Sequence, residues 1–330
     1  MNGKTLTLKK ILSALSGPYF ALLVLVVLCS LTNDVFASSQ NLLNITRQVS
    51  YSGLIALGMT FVIIVGGIDL SVGSLFALSG VLAALAMQSF SIPMAKSLGL
   101  SADTAGILVG ATTALLVALV GSAVNALAIV VGKLPPFIAT LGTYSIFRSL
   151  ALFFADSGTL SVANPALGTL GGATVLGLPL PALTLIVLAF VMEIILSQTV
   201  FGRHVCAVGS NDRVAQFAGI RTGGVKLVTY LIPGLCVGLS SFLFLGRLGS
   251  ISSSNAGMLY ELDAIAAVII GGASMSGGRG TLRGTLAGIF ILGIVSNILD
   301  MWGVSVNLQG VVKGLVIIIS VLIQRKEKAT

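Results

Sequence analysis

A double glycine, a carboxylate and a hydroxyl fall together in Gly66-Gly67-Ile68-Asp69-Leu70-Ser71-Val72-Gly73, between two strongly apolar runs. Polar groups at membrane depth must be satisfied by protein, so such a string marks a cavity, a partner or a broken helix. Asp69 is expected to cap the helix that follows, its oxygen taking free backbone N–H groups. Lining a solute pathway or touching a cytoplasmic partner are its alternative roles. A similar string recurs at Ile270-Gly271-Gly272-Ala273-Ser274-Met275-Ser276-Gly277-Gly278. Setting Gly66 against Gly271 also pairs Gly67 with Gly272, Ser71 with Ser276 and Gly73 with Gly278. Glycine-interrupted segments in corresponding places of two halves point to the pathway in transporters. Asn125 and Asn297 each lie within an apolar run, where an amide bonds either a ligand hydroxyl or, more commonly, a neighbouring helix. Asp69, Ser71, Asn125 and Asn297 are therefore the candidate pathway residues.

Other chemistry is missing. No G-x-x-x-x-G-K-[ST] string exists; the stretch from Gly272 to Gly277 has the glycine spacing but continues Gly278-Arg279, so no ATP-cradling loop is expected. The single histidine, His204, sits in a basic loop and rules out a Ser-His-Asp triad within the membrane. No Cys/His cluster has metal-ligand spacing, and no cofactor is expected. The ionisable groups that could couple transport to an ion gradient are Asp69, Glu193, Arg148 and Lys313. Glu261 and Asp263 open an apolar run, where acids suit the positive end of a helix dipole.

The elements that must hold these groups are membrane helices. The 330 residues are 56% AVILMFWYC and only 8% charged, against about 25% charged in soluble domains. A soluble fold of this size lacks the polar side chains to cover itself. Apolar runs occur near 18–37, 52–67, 70–87, 104–131, 137–154, 181–198, 227–245, 262–275, 284–301 and 309–323. With the N-terminus inside, the outer side keeps only Arg47, Lys96 and Arg247, while most of the 18 basic residues fall inside. That asymmetry is the positive-inside pattern. It predicts an all-α polytopic transmembrane helix bundle of about ten spans with N- and C-termini cytoplasmic, one domain over residues 1–330. The net charge of +8 reads as this orientation signal and as contact with lipid, not as a nucleic-acid surface. Lys9 and Lys10 before the first run, and Val35-Phe36-Ala37 after it, resemble a signal peptide; the run is read as a retained first span. Cys29, Cys206 and Cys236 form no framework and are read as unpaired.

The longest basic loop, 201–226, contains Ser210-Asn211-Asp212-Arg213-Val214-Ala215-Gln216-Phe217-Ala218-Gly219. It reads as a short helix capped by Ser210 or Asn211, with Asp212 in its first turn and Gly219 as its stop. Val214, Phe217 and Ala218, at i, i+3 and i+4, form a small apolar face that either lies on the bilayer or docks into a cytoplasmic protein.

These strings, taken together, carry a family resemblance. Gly58-Met59-Thr60 leads into Gly66 to Ser74; then follow Pro136-Phe137-Ile138-Ala139-Thr140-Leu141-Gly142, Gly209-Ser210-Asn211 with Ala215 and Gly219-Ile220, Tyr260-Glu261-Leu262-Asp263-Ala264-Ile265-Ala266-Ala267, and Ile270-Gly271-Gly272. Over about residues 50 to 320 the chain resembles the permease subunits of bacterial ABC importers for monosaccharides, the ribose-type group. The resemblance implies a multi-pass inner-membrane permease, itself without catalysis, that pairs with a second copy or a similar subunit. It implies a separate cytoplasmic ATPase and a periplasmic sugar-binding protein as partners, with ribose or a related sugar as cargo. It also implies that Gly209, Asn211, Arg213, Val214, Ala215, Phe217, Ala218 and Gly219 form the coupling helix that meets the ATPase. The acid that many ABC permeases carry before paired alanines is absent, Arg213-Val214-Ala215 standing there. An ion-coupled secondary sugar transporter is the alternative reading.

Overall fold

The computed structural model describes residues 17–305, 308–316 and 318. Twelve helices dominate them: α1 (Pro18–Thr32), α2 (Ser39–Ile64), α3 (Val72–Leu98), α4 (Ala102–Val130), α5 (Pro136–Phe154), α6 (Pro165–Gly172), α7 (Leu180–Gln198), α8 (Val200–Ser210), α9 (Asp212–Phe217), α10 (Thr222–Leu248), α11 (Tyr260–Ile270) and α12 (Leu282–Met301). Residues 308–316 are also helical. Seven of the twelve, α2 to α5, α7, α10 and α12, are long and apolar enough to cross a membrane. The chain is thus an all-α polytopic bundle. The apolar run at 309–323 lies only partly within the described residues.

Helix starts follow local side-chain chemistry. Ser38, Ser101 and Thr281 each accept a hydrogen bond from the backbone N–H three residues on, at 3.3, 3.1 and 3.1 Å, capping α2, α4 and α12. Pro at the first turn opens α1, α5 and α6, where its missing N–H costs nothing.

The bundle is organised around α2, the most enclosed of the crossing helices, which packs on α10, α11, α12 and α7. Small residues allow this closeness. A Cβ on Gly58 would meet Pro233 Cα at 2.7 Å, so α2 and the proline-bearing middle of α10 touch backbone to backbone. On the other face of α10, Gly234 and Gly238 lie against Ala118 O and Leu115 Cα of α4, at 2.7 and 2.8 Å from their ideal Cβ positions. Small residues four apart bring membrane helices within contact where lipid supplies no hydrophobic drive.

Two departures from the sequence reading concern the glycine strings. First, the run at 262–275 is not a full span. Helix α11 has 11 residues, about 16 Å at 1.5 Å per residue, roughly half of the ~30 Å hydrocarbon core. The stretch before it is non-helical and enters the bundle interior: β4 (Ser250–Ser252) pairs antiparallel with β1 (Thr159–Ser161), Ile251 lies on Gly80 of α3, and Gly257 lies on Gly73 at the start of α3. Glu261, in the first turn of α11, is therefore buried beside Gly73. A further strand pair, β2 (Thr174–Val175) with β3 (Leu178–Pro179), forms a small hairpin.

Second, the two glycine strings share a helix-ending turn, one residue out of the sequence register. Gly66 ends α2 at φ +88° and Gly272 ends α11 at φ +89°. In each case two further bonds close the same Schellman turn: Gly67 N to Val62 O and Gly66 N to Ile63 O, Ala273 N to Val268 O and Gly272 N to Ile269 O. Gly66 thus corresponds to Gly272, not Gly271, and the pairing of Ser71 with Ser276 fails with it. A left-handed residue, not a hydroxyl, is what the two strings share.

Candidate functional site

The 201–226 loop folds into two helices, not one. α8 ends at Ser210, and Asn211 starts α9, its side-chain oxygen accepting from Val214 N at 3.1 Å. Gly219, at φ +83°, closes α9 in a third Schellman turn, with Ile220 N bonding Ala215 O and Gly219 N bonding Gln216 O. Three contacts fix α9 to the bundle: Ala215 is buried, Asp212 pairs with Lys226 of α10 at 2.8 Å, and Gln216 donates to Thr222 Oγ1 at 3.1 Å. Outward, Val214 is 60% and Phe217 91% exposed, and Arg213, Ala218 and Gly219 are also exposed. The arrangement is a rigid knob with a bare aromatic at its tip. Gly209 faces the other way: a Cβ there would strike the carbonyl of Ile64, so α8 rests on the end of α2.

Three of the four pathway candidates meet in one buried cluster. Asp69 Oδ1 accepts from Ser71 N at 2.9 Å and from Ser71 Oγ at 2.7 Å. Asn125 of α4 donates to Ser71 Oγ at 2.7 Å and to Asp69 Oδ2 at 3.5 Å, and accepts from Thr143 Oγ1 at 2.6 Å. Asp69, Ser71 and Asn125 are fully enclosed. Asp69 takes a backbone N–H at the start of α3, that of Ser71, as the sequence suggested. Ser71 occupies the N-cap position, and Asp69 tethers Ser71 itself, fixing the non-helical segment 65–71 to α4 and α5. Thr143 and Thr140, the latter reaching Ile68 O at 3.4 Å, complete the tether. Two threonines three apart in an apolar run were the signal for them.

Asn297 lies elsewhere. Its amide and that of Asn41 exchange two bonds, at 2.9 and 3.0 Å, clasping α12 to α2. Three further ionisable groups in or near spans are likewise engaged. Arg148 donates to the carbonyls of Ser253, Ser254 and Ala256 at 2.8, 3.3 and 3.0 Å, anchoring the non-helical stretch before α11. Glu193 accepts from Leu282 N at 3.1 Å and faces Arg283 at 3.2 Å, where it offsets the free N–H groups at the start of α12. Lys313 pairs with Asp263 at 2.9 Å.

Between the knob and the cluster lies a cleft of about 680 Å³. Its walls are the Schellman turn at Val65–Gly67, the α4–α5 turn with Lys133, Asp212 and Gln216 of α9, and Thr222, Lys226 and Tyr230 of α10. Tyr230 stands against Gly67, two residues from Asp69, so the cleft leads from the knob to the tethered segment.

The fold and site define a polytopic membrane bundle with an exposed knob at its basic end. The chain belongs to the family described as "Branched-chain amino acid transport system / permease component", whose model matches residues 41–321. It is 42% identical over 322 residues to the ribose import permease protein RbsC of Bacillus subtilis, covering 95% of this chain and 93% of that one. The ribose import permease protein RbsC of Escherichia coli K12 is 36% identical, with 93% and 92% covered. The D-allose transport system permease protein AlsC of the same organism is 35% identical, with 94% and 91% covered. No solved structure matches the chain. Membership in this family and the seven long apolar helices make it a multi-pass inner-membrane permease component.

Proposed function

We propose that the chain is the membrane subunit of an ATP-binding-cassette importer that carries a monosaccharide, ribose first, into the cell. The observation that carries this reading is Phe217, nine-tenths exposed on a helix otherwise locked to the bundle. An aromatic side chain held rigidly in water is a docking element, and kinship to ribose and allose permeases supports an ATPase as what it docks.

The basic end, with α8, α9 and the cleft, is cytoplasmic in this reading. The crossing between α10 and α12 is completed by the non-helical entry at 253–259 and the half-helix α11, which preserves the expected alternation and about ten crossings. The permease works as a homodimer or beside a similar subunit, and a periplasmic sugar-binding protein delivers cargo to its outer face. ATP binding closes the two ATPase subunits; the motion enters at Val214, Phe217 and Ala218 and reorients the spans around the pathway. Asp69, Ser71 and Asn125 act by fixing segment 65–71 as a wall of that pathway. Asn297, with its amide spent on Asn41, is left out of it. The alternative of an ion-coupled carrier draws no support from Arg148, Glu193 or Lys313, each engaged in a structural bond.

The test is to purify the protein in detergent from cells expressing its neighbouring transport proteins and assay ATP hydrolysis. A co-purifying ATPase stimulated by a loaded ribose-binding protein is expected. A chain that comes down alone, yet takes up ribose in vesicles under a proton or sodium gradient, overturns the reading.

A further inference from the structure

The loop between α11 and α12 lies against the docking helices with its backbone in contact. Ser274 N donates to Arg279 O at 2.9 Å, closing the loop at its base. Its tip then packs into the junction of α8 and α2. Gly278 N donates to Ile64 O at 2.8 Å, and a Cβ on Gly277 would lie 2.5 Å from Gly209 O. A Cβ on Gly278 would lie 3.1 Å from Ser210 Cβ. Gly277 and Gly278 both have positive φ, +82° and +78°, which L side chains adopt only with strain. Three glycines thus serve one contact, in which the loop, the end of α2 and the end of α8 approach too closely for any side chain.

That contact sets the outer side of the loop beside α9. Met275 is 51% exposed, and Ser276 and Arg279 are exposed. The exposed Arg203, Arg213 and Arg221 lie on or between the helices α8 to α10 around it, and the nearby acid Asp212 is paired with Lys226. A large apolar side chain in a polar, basic surface repeats on the loop what Phe217 does on α9.

We propose that the loop 274–279 is the second half of the ATPase docking surface, kept in register with the coupling helix by Gly209, Gly277 and Gly278. The partner face it fits is acidic with an apolar recess, belonging to the same ATPase that receives Phe217; the inference rests on that reading of α9. Two attachment points, one on the α8–α9 pair and one joined directly to α11 and α12, deliver the stroke to both halves of the bundle. One helix alone would pass it through α8 and α10.

The test uses the assembled permease–ATPase complex in a background with the three native cysteines replaced by alanine. Met275→Cys and, separately, Phe217→Cys are labelled with a benzophenone maleimide and illuminated. Both labels are expected to cross-link to the ATPase chain. Cross-linking from position 217 but not from 275 overturns this inference and leaves the docking role of α9 standing. Cross-linking from neither position overturns both. As a second measurement, Met275→Glu combined with Arg279→Glu is expected to lower the ATPase recovered at limiting concentration about tenfold, with the permease still folded. Recovery equal to that of the unchanged protein overturns the inference.

Discussion

Replacing Asn125 by alanine should destabilise the bundle by an amount that the geometry sets. Asn125 makes two short bonds, to Ser71 Oγ at 2.7 Å and from Thr143 Oγ1 at 2.6 Å, and a longer one to Asp69 Oδ2 at 3.5 Å. Its removal does not strand every partner. Thr143 keeps the carbonyls of Ala139 and Thr140, both at 3.2 Å, and Ser71 keeps Asp69 Oδ1 at 2.7 Å. Hydrogen bonds between membrane helices average about 0.6 kcal/mol, so the two short bonds together contribute about 1 kcal/mol. Asp69 Oδ2 is different, because Asn125 is its partner and the residue is fully enclosed. A stranded buried acceptor costs about 1–3 kcal/mol. The expected loss is about 2–4 kcal/mol, read from unfolding in mixed micelles titrated with dodecyl sulfate. The argument makes a sharper claim in the double-mutant cycle. Asp69→Asn keeps an acceptor for Ser71 N but removes the carboxylate, so Asn125→Ala on that background should cost only about 1 kcal/mol. Equal costs in the two backgrounds, within the ~0.5 kcal/mol of simple additivity, would refute the claim that Asn125 serves Asp69.

Asp69→Asn alone should keep most ribose uptake in vesicles, since the tether to Ser71 survives; loss of uptake in a normally stable protein would make Asp69 a solute or partner contact. Gly209→Ala drives a methyl group into the Ile64 carbonyl, beyond the usual overpacking cost of about 1–3 kcal/mol, and should lower the melting temperature far more than Gly224→Ala, where nothing lies near; similar melting temperatures for the two variants would count against the tight α8–α2 junction. Arg148→Met strips three carbonyls of their donor and should cost about 2–4 kcal/mol, given about 1 kcal/mol per stranded acceptor; an unchanged unfolding midpoint would detach Arg148 from the non-helical stretch before α11. Burial pushes the Cys206 thiol above its ordinary range, so less of it is thiolate at pH 7. Its alkylation by a maleimide should therefore be slower than that of an exposed cysteine and keep rising at pH values where the exposed one has levelled; matching pH profiles would refute the burial.

What was legible in the sequence is what single residues decide locally. The cap at Asn211, the first-turn acid Asp212 and the stop at Gly219 were read correctly because each acts within one turn of itself. Most apolar runs became helices for the same reason: length and composition alone settle whether a segment suits lipid. The failures share a different cause. Asp69 looked like a cap, and its Oδ1 does take the Ser71 N–H, but that is only the local part of its role. What it does besides depends on Asn125, 56 residues away, and spacing along the chain carries no trace of that partner.

The glycine strings show where such reading runs out. In sequence, Gly66-Gly67 and Gly271-Gly272 are interchangeable pairs, and aligning them first-to-first is the natural choice. In the fold only one glycine of each pair takes the left-handed turn, Gly66 in one and Gly272 in the other. Its neighbour is small because another chain segment lies against it: Tyr230 meets Gly67, and the backbone of Gly284 meets Gly271. One glycine type thus answers two separate demands, a backbone dihedral and a close approach, and composition cannot tell them apart. The same ambiguity hid the junction of Gly209 with Gly277 and Gly278. Gly277 and Gly278 satisfy both demands at once, so replacing either strains the turn and parts the loop from α8 together. It follows that Gly278→Ala should perturb the loop more than Gly272→Ala, since both have left-handed φ but only Gly278 lacks room for a Cβ. Hydrogen exchange across residues 273–281 separates the two, and equal exchange in both variants would mean that the turn, not the contact, is what the second glycine string preserves.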